Sequence, residues 1–177
     1  MQNDIAEVLI SEEKITECCK RLGKQIENDY KDKNPIIIGL LKGCEPFMSD
    51  LIKNINTYIR TDYMDCSSYH GTMSTGTVII KKDVDEDVKD QDVIIVDDII
   101  DTGVTLHDIV RVLKERGAKS VKTCVLLSKD VKRKHELNVD YVGTTVPNAF
   151  VVGYGLDFNE AYRNLPYIGV LKEELYK

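Results

Sequence analysis

The chain has no run of apolar residues long enough to span a bilayer, and its polar, acidic start shows no basic stretch followed by an apolar one. Those absences exclude a membrane-spanning or signal-bearing reading and predict a cytoplasmic protein. The cysteines do not pair up: five of them (Cys18, Cys19, Cys44, Cys66 and Cys124), with neither C-x-x-C nor zinc-ligand spacing, predict reduced and mostly buried thiols. No basic stripe offsets the net charge of −6 and the pI near 5.1, so neither nucleic acid nor an anionic membrane is an expected partner. Lys132-Arg133-Lys134, the one dense basic run, reads as a solvated turn or the neighbour of a phosphate. The Gly-x-x-x-x-Gly-Lys-Ser/Thr loop of an NTP hydrolase is missing, and so is any repeat or low-complexity linker. Acids between 83 and 92 lack the glycine and terminal glutamate of a calcium loop and read as a solvated connection.

With 177 residues and 42% hydrophobic content, the chain can build one domain, residues 1–177, around a sizeable core. Ile15, Cys18, Cys19, Leu22 and Ile26 recur at helical spacing behind a Ser11 cap, which predicts a helix over 11–30 that ends before Asn34-Pro35. Residues 36–41 read as a buried strand. Lys42-Gly43 is then a tight loop, and Pro46 begins a helix that buries Phe47, Met48, Leu51 and Ile52. Strands are expected at 57–65, 78–80, 121–127, 141–144, 150–152 and 168–171, with a long loop of small and polar residues over 67–77. This alternation predicts an α/β fold: a mainly parallel, twisted sheet flanked by helices, with ligands at the carboxyl ends of its strands.

The chemistry concentrates in residues 93–106. The β-branched run Val93-Ile94-Ile95-Val96 suits a strand buried on both faces, and it ends in Asp97 and Asp98, placing both acids at the strand's carboxyl end. After Ile99-Ile100 come Asp101, Thr102, Gly103, Val104 and Thr105, which open a helix with Leu106, Ile109, Val110 and Leu113 on one face. Backbone N–H groups at such a helix start, two threonine hydroxyls and a close-approach glycine suit a phosphate. Carboxylates beside an anion site make sense if they accept from the hydroxyls of a ribose diol and share a cation, magnesium being the expected one. The plainer alternative is a capping box between Thr105 and Asp108, with the acids serving the helix dipole.

This segment resembles the signature of the type I phosphoribosyltransferases, which bind 5-phosphoribosyl 1-pyrophosphate. The likeness runs nearly end to end. Residues 8–11, 39–43, 65–69 and 150–157 point to the branch acting on 6-oxopurines. The resemblance implies a small hood built from the N-terminal segment and residues near 145–177, and a homo-oligomer, dimer or tetramer. It also implies a magnesium-dependent purine-salvage activity that converts hypoxanthine and guanine to IMP or GMP with release of pyrophosphate. A non-enzymatic regulator that senses the sugar pyrophosphate on the same fold is the rival reading. It would be expected to carry a basic face or a DNA-binding segment, which this sequence lacks.

Residue by residue, the resemblance assigns Asp97 and Asp98 to the ribose hydroxyls and magnesium, Thr102, Gly103, Val104 and Thr105 to the 5′-phosphate, and Asp101 to proton transfer at N7 of the purine. Leu41, Lys42 and Gly43 match the pyrophosphate loop with its cis Leu41–Lys42 peptide, and Arg163 matches the pyrophosphate-binding arginine. Ser68 and Tyr69 match the pair on a loop that closes over the reacting groups. Lys129 would donate to the 6-oxo group, Phe150 would stack on the base, Val151 would meet its edge through the backbone, and Asp157 would be a further magnesium ligand near the base. Departures from the family pattern are Asp97, often glutamate, which would reach the metal directly or through water, and the turn residues Thr144-Thr145 and Asn148. His70, His107 and His135 are assigned no chemistry.

Overall fold

The computed structural model describes residues 1–68, 78–132 and 137–177, Ser68 by its backbone alone. Strand β1 (Ile5–Ile10) leads into helix α1 (Glu12–Asp29), where the Ser11 side chain accepts from Lys14 N at 3.3 Å and Ile15, Cys18, Cys19, Leu22 and Ile26 are buried. Strand β2 (Ile36–Leu41) and helix α2 (Glu45–Ile52) follow, with a proline in the first helical turn and Phe47, Met48 and Leu51 inside.

Strand β3 (Arg60–Ser68) begins later than its sequence suggests because pairing with β2 sets its start, Ile36 opposite Arg60, and it runs past Asp65 because Cys66, Ser67 and Ser68 pair with the following strand over 78–82. Strand β4 (Val78–Lys82) runs antiparallel to it and is longer than the expected 78–80. Strand β5 (Asp92–Ile100), helix α3 (Val104–Glu115), strands β6 (Ser120–Lys129) and β7 (Tyr141–Val146), and the short β8 (Val151–Val152) and β9 (Ile168–Leu171) complete the elements.

Six strands form one sheet in the order β4-β3-β2-β5-β6-β7, parallel except for the β3–β4 pair. Alternate side chains of the central strands feed two apolar cores. Ile37, Ile94, Val96, Cys124 and Leu126 pack with α1 and α2 on one face, and Ile36, Ile38, Val93, Ile95 and Val125 pack with α3 on the other. A separate three-stranded antiparallel sheet, β1-β9-β8, ties residues 5–10 to residues 151–171. At the outer edge of the main sheet, Arg21 of α1 donates to the carbonyls of Val142 (3.0 Å) and Gly143 (2.5 Å) of β7. The five cysteines are free, four of them buried and Cys66 half-buried.

The acidic stretch before β5 is pinned to the fold and does not behave as a free solvated connection. The buried Asp62 carboxylate needs donors and takes them from Asp85 N and Glu86 N, both at 2.8 Å; Arg116 grips Asp83 through two 2.7 Å bonds; and Val88 is buried.

Chain direction sets where a ligand can enter. From β2 the sheet grows outward through β3, and from β5 it grows the other way through β6 and β7, so the loops after β2 and β5 part at their carboxyl ends and open a crevice.

Candidate active site

Strand β5 does not end at its acids. Its pairing with β2 stops at Gly39 opposite Val96, whereas its pairing with β6 continues to Ile100 opposite Ser128, so Asp97 and Asp98 lie on a strand bonded on one side only. Asp97 Oδ1 accepts from Asp98 N at 3.0 Å, and Asp98 Oδ1 accepts from Ile99 N at 2.7 Å. Burial, and then the neighbouring Asp98 charge, push the Asp97 carboxyl well above the usual carboxylate range. Burial also raises Asp98, opposed by its hydrogen bonds from Asp97 and the backbone and by the Arg163 charge.

The loop after β2 presses against this pair. Its Leu41–Lys42 peptide is cis, and a Cβ on Gly43 would collide with the Asp98 carboxylate. On the far side of the loop, Gly155 (φ 96°) lies so close to the Gly43 carbonyl that a Cβ there would also collide. Three segments, after β2, at the end of β5 and after β8, therefore meet through backbone and one carboxylate.

Helix α3 begins without a side-chain cap. Its N-cap is Gly103 in the left-handed region (φ 77°), and the first helical bond runs from His107 N to Gly103 O at 2.9 Å. The capping-box alternative fails on this geometry, since Thr105 lies inside the helix and Asp108 is buried. A cavity of about 170 Å³ lies over the helix start, lined by Asp97, Asp101, Thr102, Gly103, Val104 and Thr105 among others. Lys129, at the end of β6 and 15% exposed, reaches back to Asp101 with Nζ 3.2 Å from Oδ2.

Both cations of the expected pyrophosphate site are already engaged. Arg163 donates to Gly155 O at 2.7 Å and pairs with Asp157 at 2.9 Å and Glu160 at 3.4 Å; Lys42 pairs with Glu160 at 3.0 Å. Lys42 and Arg163 line a cavity of about 400 Å³ together with Glu45, Pro46, Ser49, Gly155 and Asn164. Asp157 uses its second oxygen to accept from Glu160 N at 2.9 Å. Asn159, Glu160 and Tyr162 all have positive φ (50°, 63° and 75°), so this turn holds non-glycine residues in a region they rarely adopt. Glu160 carried no signal in the sequence beyond a carboxylate three residues before Arg163.

Phe150 is 36% exposed and its carbonyl accepts from Leu171 N at 2.9 Å; Val151 is buried in β8 opposite Val170. The Tyr176 ring stacks on Phe150 (centroids 4.7 Å, planes 22° apart), and Phe158 meets it edge-to-face (5.6 Å, 89°). Ser68 ends β3 opposite Val78, while its side chain and Tyr69 lie outside the described residues, as do most of the 67–77 loop, His70 and His135.

Among the described residues, no three acids, histidines or cysteines gather into a metal-holding group. The adjacent oxygen donors of Asp97 and Asp98 suit a hard divalent cation that completes its shell with ligand oxygens. A larger cavity, about 470 Å³, lies at the amino ends of β5, β6 and β7, where its acids are satisfied locally: Asp29 by Tyr141 (2.6 Å), Asp92 by Ser120 (2.6 Å) and Asp140 by Lys122 (2.6 Å).

Known proteins resemble this chain along its length. Residues 9–159 match the Phosphoribosyl transferase domain family. The hypoxanthine-guanine phosphoribosyltransferase of Streptococcus pneumoniae is 55% identical over 177 residues, covering 99% of this chain and 98% of that one. The Bacillus subtilis protein of the same name is 52% identical over 178 residues, covering 100% and 99%. A crystal structure of a hypoxanthine phosphoribosyltransferase from Staphylococcus aureus superposes with a TM-score of 0.96 at 50% identity, covering 100% of this chain and 97% of that one.

Proposed function

Because this chain belongs to the phosphoribosyl transferase family, we propose that its crevice moves the 5-phosphoribosyl group from 5-phosphoribosyl 1-pyrophosphate to hypoxanthine or guanine, releasing pyrophosphate. The chain is a transferase of purine salvage. Its relatives bear the names of enzymes, and the sugar-sensing regulator is set aside. The observation that carries the reading is the continuity from Asp97-Asp98 to the uncapped start of α3, with Lys129 held on Asp101 beside it. A pyrophosphate-release assay with hypoxanthine, guanine, xanthine and adenine in parallel tests it. Release is expected with the first two and little with the others; release with adenine alone, or with no base, overturns it.

In this reading Asp97 and Asp98 accept hydrogen bonds from the ribose hydroxyls and hold the sugar in line with the base. The amides and hydroxyls of Thr102, Gly103, Val104 and Thr105 cradle the 5′-phosphate at the helix start, where the helix dipole favours an anion. As the bond from C1 to pyrophosphate breaks, positive charge grows on the sugar in an oxocarbenium-like state, and the purine attacks C1 while Asp101 accepts the proton at N7. Lys129 donates to the 6-oxo group, Val151 meets the base edge through its backbone, and Phe150 offers a ring face.

Lys42, Gly43 and Arg163 receive the pyrophosphate, which must draw the two cations from Glu160 and Asp157. Magnesium, which the fold family implies, would be held by Asp97, Asp98 and, on the pyrophosphate side, Asp157, and when bound supplies neutralisation of the leaving group's charge. Ser68 and Tyr69 would close over the reactants and exclude water. The hood formed by residues near the N-terminus and 145–177, a cytoplasmic location and a homo-oligomeric state, dimer or tetramer, belong to the same reading. No helix among the described residues is long and apolar enough to cross a membrane.

A further inference from the structure

The aromatic cluster around Phe150 contains a ring that the reaction, as described, leaves without a role. We infer that Tyr176 is a positioning residue for the purine: its ring backs one face of Phe150 and holds the other face ready for the base. The inference rests on the proposed stacking of the base on Phe150.

Three observations support it. Tyr176 lies nearly parallel to Phe150 (4.7 Å, 22°), so one face of that ring is taken, and Phe158 meets Phe150 at 89°; Phe150 nevertheless keeps 36% of its surface exposed, which a base can cover. The backbone of Phe150 is fixed independently by Leu171 N, which leaves the side-chain torsions as the freedom that Tyr176 removes. Tyr176 is itself anchored. The short 3-10 turn Glu173–Leu175 before it is bonded within itself (Leu175 N to Lys172 O, Tyr176 N to Glu173 O), and Lys172 N donates to Asp4 O at 3.0 Å. Asp4 is held in turn by Tyr162 OH at 3.1 Å and by the chain's amino group at 3.3 Å. The ring is therefore tied to the β1-β9-β8 sheet, and a rigid aromatic backing lowers the ordering cost of the base when it stacks.

The test separates base from sugar. Tyr176→Ala should raise KM for hypoxanthine by about three- to tenfold, the value of one offset aromatic pair, while KM for 5-phosphoribosyl 1-pyrophosphate stays as in the parent. Tyr176→Phe should behave as the parent, because the ring and not the hydroxyl does the backing. In a Phe150→Leu background, Tyr176→Ala should have no further effect on the base, since it acts through Phe150. Should Tyr176→Ala fail to fold, Tyr176→Leu replaces it, keeping an apolar contact without a ring plane, with the same KM split expected. A fall in KM for hypoxanthine would mean that Tyr176 occupies the seat of the base, and would overturn the inference. Equal changes in both KM values, or none, would overturn it as well. Failure of the underlying reading looks different: Phe150→Leu would then leave hypoxanthine turnover intact.

Discussion

Replacing Lys129 with alanine probes base recognition most directly, because Lys129 has two competing partners. In the structure its ammonium sits 3.2 Å from Asp101, a carboxylate whose side chain is 51% exposed. A pair with one member so open to water is worth about 0.2–1 kcal/mol. A hydrogen bond from a charged donor to the 6-oxo oxygen is worth about 1.5–3 kcal/mol. Hypoxanthine therefore gains roughly 0.5–3 kcal/mol by drawing Lys129 off Asp101, and the exchange frees Asp101 as the N7 proton arrives.

Adenine offers a donor at the 6-position and cannot draw Lys129 away, so Asp101 stays engaged and adenine forgoes that gain, a discrimination of about 2- to 160-fold from this contact. Lys129→Ala should lower kcat/KM for hypoxanthine and guanine by about 10- to 100-fold without producing efficient use of adenine. Steady-state kinetics with all three bases measures this. Unchanged hypoxanthine turnover in the variant, or equal use of adenine and hypoxanthine by the parent, would refute the reasoning.

Three further outcomes follow from other contacts. Asp101→Asn should keep affinity for 5-phosphoribosyl 1-pyrophosphate but lose ~10² to 10⁴ in kcat, as expected when an amide replaces a proton acceptor; an unchanged kcat removes Asp101 from the proton path. Gly43→Ala should raise KM for the sugar pyrophosphate at least about tenfold, because its methyl must displace Asp98 or the Lys42–Gly43 loop; circular dichroism on the same sample tells a local shift from unfolding, and an unaltered KM contradicts the close contact. Glu160→Gln should tighten pyrophosphate binding at neutral pH by releasing Lys42 and Arg163. The hydrogen bond from Lys42 and the charges of Lys42 and Arg163 lower the Glu160 pKa, so its contacts persist above that lowered range and fade as pH falls through it. Calorimetric titrations should show the advantage of the variant shrinking with falling pH; an advantage independent of pH would argue against Glu160 as the competitor.

What could be read in the sequence was what depends on local pattern. The 3.6-residue spacing of Ile15, Leu22 and Ile26, the Ser11 cap, and the β-branched run before Asp97 specify elements without reference to distant residues. Strand ends were misplaced where a neighbour sets them: β3 starts at Arg60 because β2 starts at Ile36, and β5 runs through its acids because β6 keeps pairing to Ser128. The acidic loop at the site was visible because its residues are contiguous. Its controlling contacts were not, since Lys129 reaches across 28 positions to Asp101 and Glu160 across 118 to Lys42, and no periodicity encodes such pairs. The ring behind Phe150 was hidden for the same reason; Tyr176 reaches it only once β9 has folded against β8.

Arg21 has a consequence for how copies of this chain can meet. Strand β7 borders the sheet, and a strand border normally offers carbonyls and amides to any passing extended peptide. Here the guanidinium of a residue on a neighbouring helix bonds two successive carbonyls, and Cys18 Sγ approaches the second at 3.5 Å. An incoming strand would have to evict a charged, multiply bonded group before making its first ladder bond. Strand addition is thereby obstructed at the Val142 and Gly143 carbonyls of that border.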